Sequence, residues 1–360
     1  MFNILIGEIS SNKGVVIAKY IKKYYNDVKI FSYDNLKYTK RIHTRYSDKH
    51  IVILDSDINS YLDKICNLIS EFNIDLFLPV HSDYIGEIIK RKKKYGKSLN
   101  YLGCYEDYEN LHIKSKLQKI AEELCINVPK EYLNIDDAVI PFVGKPVNKS
   151  SSKGVIYCKT IKNFHKYKNR SFSNYIFQEF IEGIGCGYSV YAINGKIQAE
   201  YAHKRLIEFP YSGGSSIYRK SIEGKEMKQV AQMILSKIKW TGFVMFEFKY
   251  TKDKKFILIE TNPRIWGSIN QGLMNGSDFF SSLIPNDLKK ITPQLEESIY
   301  TYMSPQIYYS FFQCIINLDF KKIRYFFENK YSNSPDVSLK DDFKGYLSII
   351  LRSFYRKKNG

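Results

Sequence analysis

The first hundred residues alternate short apolar runs with longer amphipathic segments. Residues 2–6, 28–32, 51–54 and 75–80 are dense in Ile, Leu, Val and Phe and have strand length. Residues 14–25 and 61–72 repeat their apolar positions at helical spacing. Strands that alternate with helices predict a parallel sheet with crossover helices. A further helix and a short strand at 101–103 complete the region. Ligands of such sheets sit at the carboxyl ends of strands. Those ends are Gly7-Glu8 and the turn His81-Ser82-Asp83.

The pattern then changes. IKSKLQKIAEELC, residues 113–125, predicts a helix closed by Val128-Pro129. A strand at 141–146 carries Lys145 and runs into a small polar loop at 148–154. Strand, helix and strand follow, ending at 175–181. From Gly187 the signal is antiparallel: residues 188–193 and 196–202 flank Asn194-Gly195, a type I′ turn pair. A helix at 225–238 leads to two more strands, TGFVMFEFKY and KFILIETNPR. With the turn centred on Asp253-Lys254, Glu247 and Glu260 face each other. Opposed side chains on one sheet face lie about 4.5–5.5 Å apart. Two carboxylates at that distance repel by roughly 3 kcal/mol at an effective dielectric of ~20. A divalent cation or a shared proton relieves such a pair. Asn262 adds an oxygen ligand at the same strand end, and Arg264 adds a fixed cation.

Glu247 together with Glu260-Thr-Asn262-Pro-Arg264 resembles the metal-binding strands of the ATP-grasp ligases. The order of parts is similar as well: a helical lysine, a strand lysine, a small-residue loop, the strand Gln178-Glu179-Phe180-Ile181, then the acidic hairpin. Over about residues 105–280, the resemblance implies two α+β subdomains clasping ATP. The expected organisation is an N-terminal parallel-sheet α/β domain at 1–104 and an ATP-grasp domain at 105–300, with its lid at about 140–182. A C-terminal helical extension would occupy 301–360. By the resemblance, Lys116 and Lys145 contact the ATP phosphates, and Ser151, Ser152 and Gly154 belong to the loop over them. Glu179 and the Ile181 backbone meet the adenine, with Gln178 and Phe180 of the same strand also binding the cofactor. Glu247, Glu260 and Asn262 hold Mg2+, with Mn2+ able to replace it, and Arg264 stabilises charge on the transferred phosphoryl group. The family often has a glutamate for the ribose shortly after the hinge strand. Here Gly183-Ile-Gly185-Cys-Gly187 follows, and Glu182 is left as the candidate.

His203-Lys204-Arg205, followed by Glu208 and Gly213-Gly214-Ser215-Ser216, resembles a block in the predicted ATP-dependent carboligases, the carbamoyl-phosphate-synthase-like branch. Three cationic or titratable groups at a strand end suit an anionic substrate or the γ-phosphate. Arg219 on the next strand either joins them or stays apart. The implied activity is carboxylate–amine ligation through an acyl phosphate, on an amino acid, a peptide or a glycan-linked carboxylate. A kinase acting on a hydroxyl and a non-catalytic ATP-binding module are the other readings. The expected partners are a small-molecule carboxylate and amine, and the family allows a homodimer.

Composition narrows this picture. The 360-residue chain has 55 Lys+Arg against 37 Asp+Glu, a formal charge of +18, which favours anionic ligands. No nucleic-acid module, Walker A, G-x-G-x-x-G or G-x-S-x-G motif is present, so no nucleic-acid partner is expected. Six cysteines without C-x-x-C spacing fit a reducing cytoplasm. Residues 2–6 are too short for a signal peptide. At the far end, Tyr346, Leu347, Ile350, Leu351 and Phe354 fall at helical spacing beside Lys344, Arg352, Arg356, Lys357 and Lys358. This segment is either a docked helix or a basic amphipathic helix on the inner membrane face.

Overall fold

The computed structural model describes residues 1–80, 84–147, 154–209, 214–294, 299–328 and 333–359. The first sheet is parallel throughout. It contains β1 (Phe2–Gly7), β2 (Val28–Asp34), β3 (Lys49–Val52) and β4 (Leu76–Leu78) in the order β3-β2-β1-β4. Helices α1 (Asn12–Tyr24), α2 (Ile58–Glu71) and α3 (Ile85–Lys90) lie between and after these strands. Ser11 and Asp57 cap α1 and α2 by accepting from the amides of Gly14 and Ser60. Ile4, Leu5, Ile6, Phe77 and Leu78 are wholly buried, as a sheet covered on both faces requires. Residues 101–103 are a turn rather than the expected strand. The Gly103 amide donates instead to the Thr241 carbonyl, tying this domain to the next.

The predicted helix at 113–125 is α5 (Lys114–Glu123), and a further short helix, α4 (Tyr105–His112), precedes it. A small antiparallel sheet follows, ordered β5-β8-β6-β7, from β5 (Glu131–Tyr132), β6 (Phe142–Pro146), β7 (Ile156–Cys158) and β8 (Tyr175–Glu179), with α6 (Ile161–Lys168) between β7 and β8. Its own apolar cluster is centred on Phe142, Cys158 and Phe177.

The largest sheet has seven strands in the order β13-β12-β9-β10-β11-β14-β15. These are β9 (Ile184–Ile193), β10 (Lys196–Phe209), β11 (Ser215–Ser221), β12 (Gly242–Tyr250), β13 (Phe256–Asn262), β14 (Tyr300–Tyr302) and β15 (Asn333–Pro335). Asn194 and Gly195 join β9 to β10 with φ of 49° and 76°, the left-handed pair that a type I′ turn needs. Helices α7 (Lys225–Ile238) and α8 (Ile269–Met274) accompany this sheet, and Phe243, Phe246, Phe248, Trp240 and Trp266 fill the core shared with the first domain.

Residues beyond 300 do not form a separate helical extension. β14 and β15 extend the large sheet, and α9 (Gln306–Ile316) and α10 (Phe320–Glu328) form a hairpin against β10 and β11. The last helix, α11 (Phe343–Asn359), docks on the first domain. Arg352 is buried there between Glu8 and Asp34, at 2.5 and 3.2 Å, and donates to Ser10 Oγ at 2.8 Å. Tyr38 donates to the Ser348 carbonyl, and Ile349 enters the common core. The docked alternative is therefore the observed one, and it covers the carboxyl ends of β1 and β2.

Candidate active site

Glu247 and Glu260 are direct register partners in the β12–β13 hairpin, but the geometry is reached by a different route from the expected one. Tyr250 pairs with Phe256, which centres the turn on Asp253. A register shift between Glu247 and Phe248 then adds one residue, Ile259, to β13. Without this bulge Glu247 would oppose Ile259, and Glu260 would turn to the other face. Phe246 and Phe248 point into the core, so Glu247 between them faces outward.

The two carboxylates are not left to repel. Arg205 Nη2 lies 2.6 Å from Glu247 Oε2. Asn262 Nδ2 donates to Glu247 Oε1 at 2.9 Å and reaches Glu260 Oε1 at 3.5 Å. Lys114 Nζ stands 4.0 Å from Glu260 Oε2. Arg264 Nη2 donates to Asn262 Oδ1 at 3.0 Å. Burial raises the Glu247 pKa, and Glu260 adds to the rise while Arg205 opposes it. Burial also works against the Arg205 charge, but Glu247 and Glu208 outweigh it and the guanidinium pKa is raised. Arg205, Glu247, Glu260, Asn262 and Arg264 line a cavity of about 210 Å³ with Lys13, His203, Ser216 and Met303.

Strand alternation divides the His203-Lys204-Arg205 block. His203 and Arg205 face this cavity. Lys204 does not; it borders a neighbouring recess of about 220 Å³ with Lys249, Lys321 and Lys322. The glycines of β9 make the floor. A Cβ on Gly187 would overlap the His203 ring, and one on Gly185 would come within 2.9 Å of Arg205 Cδ. His203 stacks on Tyr201 with ring centroids 5.6 Å apart. Burial, with Arg205 and Arg219 nearby, drives its pKa well below the usual value, so the ring is neutral. Neither ring nitrogen has a hydrogen-bond partner among the described residues. Arg219 stays apart from the cavity. It is fully buried in an ion pair with Asp336 and donates to Thr301 Oγ1 at 2.8 Å.

Lys145 reaches from β6 toward this face. It is buried, donates to Gln178 Oε1 at 2.9 Å, and has its pKa lowered from 10.5 to about 8 by burial, against the pull of Glu260 and Glu247. Lys116 is elsewhere: it pairs with Glu109 at 2.9 Å on the exposed side of α5. Lys114, two residues earlier and so about 200° around the helix, is the lysine of this helix beside the carboxylates. Gln178 is buried, whereas Glu179 at the end of β8 is exposed. Phe180 packs edge-on to Tyr157, and Ile181 is half-buried. Glu182 pairs on the surface with Lys252 at 3.3 Å. Ser151, Ser152 and Gly213 lie outside the described residues, as does the turn at 81–83. Gly154 has φ of +78° and accepts from the Tyr175 hydroxyl.

Residues 111–268 match the family model of the ATP-grasp domain. The chain carries an ATP-grasp domain. Solved structures agree at the level of the fold. The biotin carboxylase domain of 2-oxoglutarate carboxylase from Hydrogenobacter thermophilus, in complex with MgADP, ADP and bicarbonate, aligns with a TM-score of 0.64 and 11% identity. That alignment covers 83% of this chain and 73% of the other. An L-amino acid ligase from Bacillus licheniformis gives 0.62 and 16%, covering 85% and 80%. N5-carboxyaminoimidazole ribonucleotide synthetase from Thermotoga maritima gives 0.52 and 16%, covering 73% and 69%. No curated protein matches the chain by sequence.

Within the ATP-grasp domain the two opposed carboxylates suit a hard divalent cation. Asn262 turns Nδ2 to both while its Oδ1 accepts from Arg264, so its amide would have to flip to add an oxygen ligand, and the His203 imidazole shares the cavity. The sequence reading missed Lys114 and Lys13. Helical phase from the buried Leu117, Gln118 and Ala121 could have pointed to Lys114. Lys13 comes from the first domain, donates to the Ile265 carbonyl at 3.1 Å, and left no signal.

Proposed function

We propose that the protein is an ATP-dependent carboxylate–amine ligase. The observation that carries this reading is the Glu247–Glu260 pair, braced by Arg205, Asn262 and Arg264 and faced by a buried lysine. Glu247, Glu260 and Asn262 would hold Mg2+, which supplies positive charge to the polyphosphate when bound. Lys145 and Lys114 would bind phosphate oxygens. In this reading the sheet carrying Lys145, within 140–182, is the lid that excludes water.

In the first step a substrate carboxylate oxygen forms a bond to the γ-phosphorus while the bond to the ADP oxygen breaks. In the second, an amine nitrogen bonds to the acyl carbon, the carbon–oxygen bond to phosphate breaks, and the amine loses a proton. Neither step needs a protein nucleophile. Arg205 and Arg264 are fixed cations for the charge that develops, already ordered before substrate arrives. Neutral His203 offers a hydrogen bond without adding charge. The L-amino acid ligase and the carboxyaminoimidazole ribonucleotide synthetase share this fold, which supports the reaction class and leaves the acid open.

Hydroxylamine traps an acyl phosphate whatever the natural amine is. Incubation with MgATP, hydroxylamine and pools of amino acids, peptides and uronic acids is expected to give hydroxamate with matching ADP. A stable phosphorylated alcohol instead would establish a kinase. Glu260→Gln is expected to lower ADP formation by at least about 100-fold in a folded protein; wild-type turnover in that variant would sink the assignment.

A further inference from the structure

The α9–α10 hairpin wears its apolar residues outward. Ile307, Ser310 and Cys314 are the buried side of α9. Tyr308, Phe312, Ile315 and Ile316 share the other side at i, i+4, i+7 and i+8. Phe312 and Ile316 are 63% and 79% exposed, and the surface continues through Phe320 at 72% and Phe327 at 69%. Single exposed apolar residues are ordinary, but a contiguous cluster of this size marks an interaction surface. Behind it lies an aromatic groove of about 370 Å³, bordered by Tyr218, Tyr302, Phe311 and Phe326.

We propose that the α9–α10 hairpin seats the protein on an anionic lipid surface. Charge selects this occupant over a second copy of the chain. The formal charge is +18, and the sequence of the hairpin sets Lys321, Lys322 and Arg324 against Asp319 and Glu328, one cation in excess. Two copies of a chain of this charge repel as they approach, whereas acidic lipid headgroups attract each one. Exposed Tyr, Phe and Ile along one helix face suit an interfacial contact. The contact is peripheral, since no helix among the described residues is long and apolar enough to cross a membrane. It also differs in place from the membrane reading of the C-terminal helix, whose Ile349 and Arg352 are committed to the protein interior. The proposal does not depend on the ligase assignment. Lys321 and Lys322 of α10 do border the recess that holds Lys204 and Lys249, so one helix serves both surface and recess.

The test is co-sedimentation of the full chain with phosphatidylcholine vesicles, with and without phosphatidylglycerol. Binding is expected only with phosphatidylglycerol, and added salt should weaken it. The double variant Phe312→Glu/Ile316→Glu is expected to partition at least about ten-fold less, with an unchanged thermal midpoint because both side chains are exposed. Wild-type protein that ignores both vesicles would overturn the proposal, as would a double variant that binds as well as wild type. Loss of binding in Phe354→Glu but not in the double variant would transfer the contact to α11. A lipid-free dimer, seen by light scattering and broken by the double variant, would show that a second copy covers the face.

Discussion

Replacing Lys145 with methionine should make the nucleotide-free protein more stable and catalytically dead. Lys145 is 8% exposed and its pKa falls from 10.5 to about 8. Below the folded value the lysine is charged in both states, and the folded state bears the burial cost. That cost is about 3 kcal/mol. Methionine removes it but leaves Gln178 Oε1 without its donor, a loss of about 1 kcal/mol. The expected net gain is about 2 kcal/mol at about pH 7. Between about pH 8 and 10.5 the folded lysine is neutral while the unfolded one is still charged, so wild-type stability rises through that window. The gap between the two proteins should shrink by more than half at about pH 9.5. Urea denaturation at both pH values measures this, with ADP release as the activity readout. A variant destabilised by about 1 kcal/mol or more at neutral pH would refute the reasoning, as would a gap that ignores pH or turnover that survives.

Three other substitutions test the placement of side chains. Lys114→Ala should lower MgATP turnover at least about ten-fold, and Lys116→Ala should stay within about two-fold, since one faces the carboxylates and the other pairs with Glu109. Gly187→Ala should displace the His203 ring and cost about 1–3 kcal/mol in chemical denaturation; an unchanged midpoint would mean that β9 is not its floor. Arg352→Leu should cost about 3–5 kcal/mol by leaving Glu8 and Asp34 buried without their cation. A variant as stable as wild type would show that the ion cluster is not what holds α11.

The fold was legible wherever it rests on local periodicity. The parallel first domain and the Asn194-Gly195 hairpin both follow from strand and turn rules that act over a few residues. The acidic pair was found through an incorrect turn centre, and the Ile259 bulge compensated; nothing in KFILIETNPR signals a bulge. Lys116 was preferred to Lys114 because a motif gives sequence order and not helical phase. Lys204 was grouped with His203 and Arg205 although alternation along a strand sends it elsewhere. Arg219 and Arg352 were unreadable in principle. Their partners, Asp336 and Asp34, lie 117 and 318 residues away, and no local pattern encodes such pairings. Periodicity in α11 was real but could not say whether protein or lipid would cover it.

The Arg352 cluster also bears on the order in which the molecule can be completed. Glu8 and Asp34 are made well before the guanidinium that neutralises them, which follows 318 residues after Asp34. Until then the first domain must hold two carboxylates at the open end of its sheet, and hydration there competes with burial. Domains made early ordinarily fold as units while the rest is translated. Here that domain is finished only once residue 352 has been made, so a ribosome that stops short of it releases a chain whose Glu8 and Asp34 lack their cation.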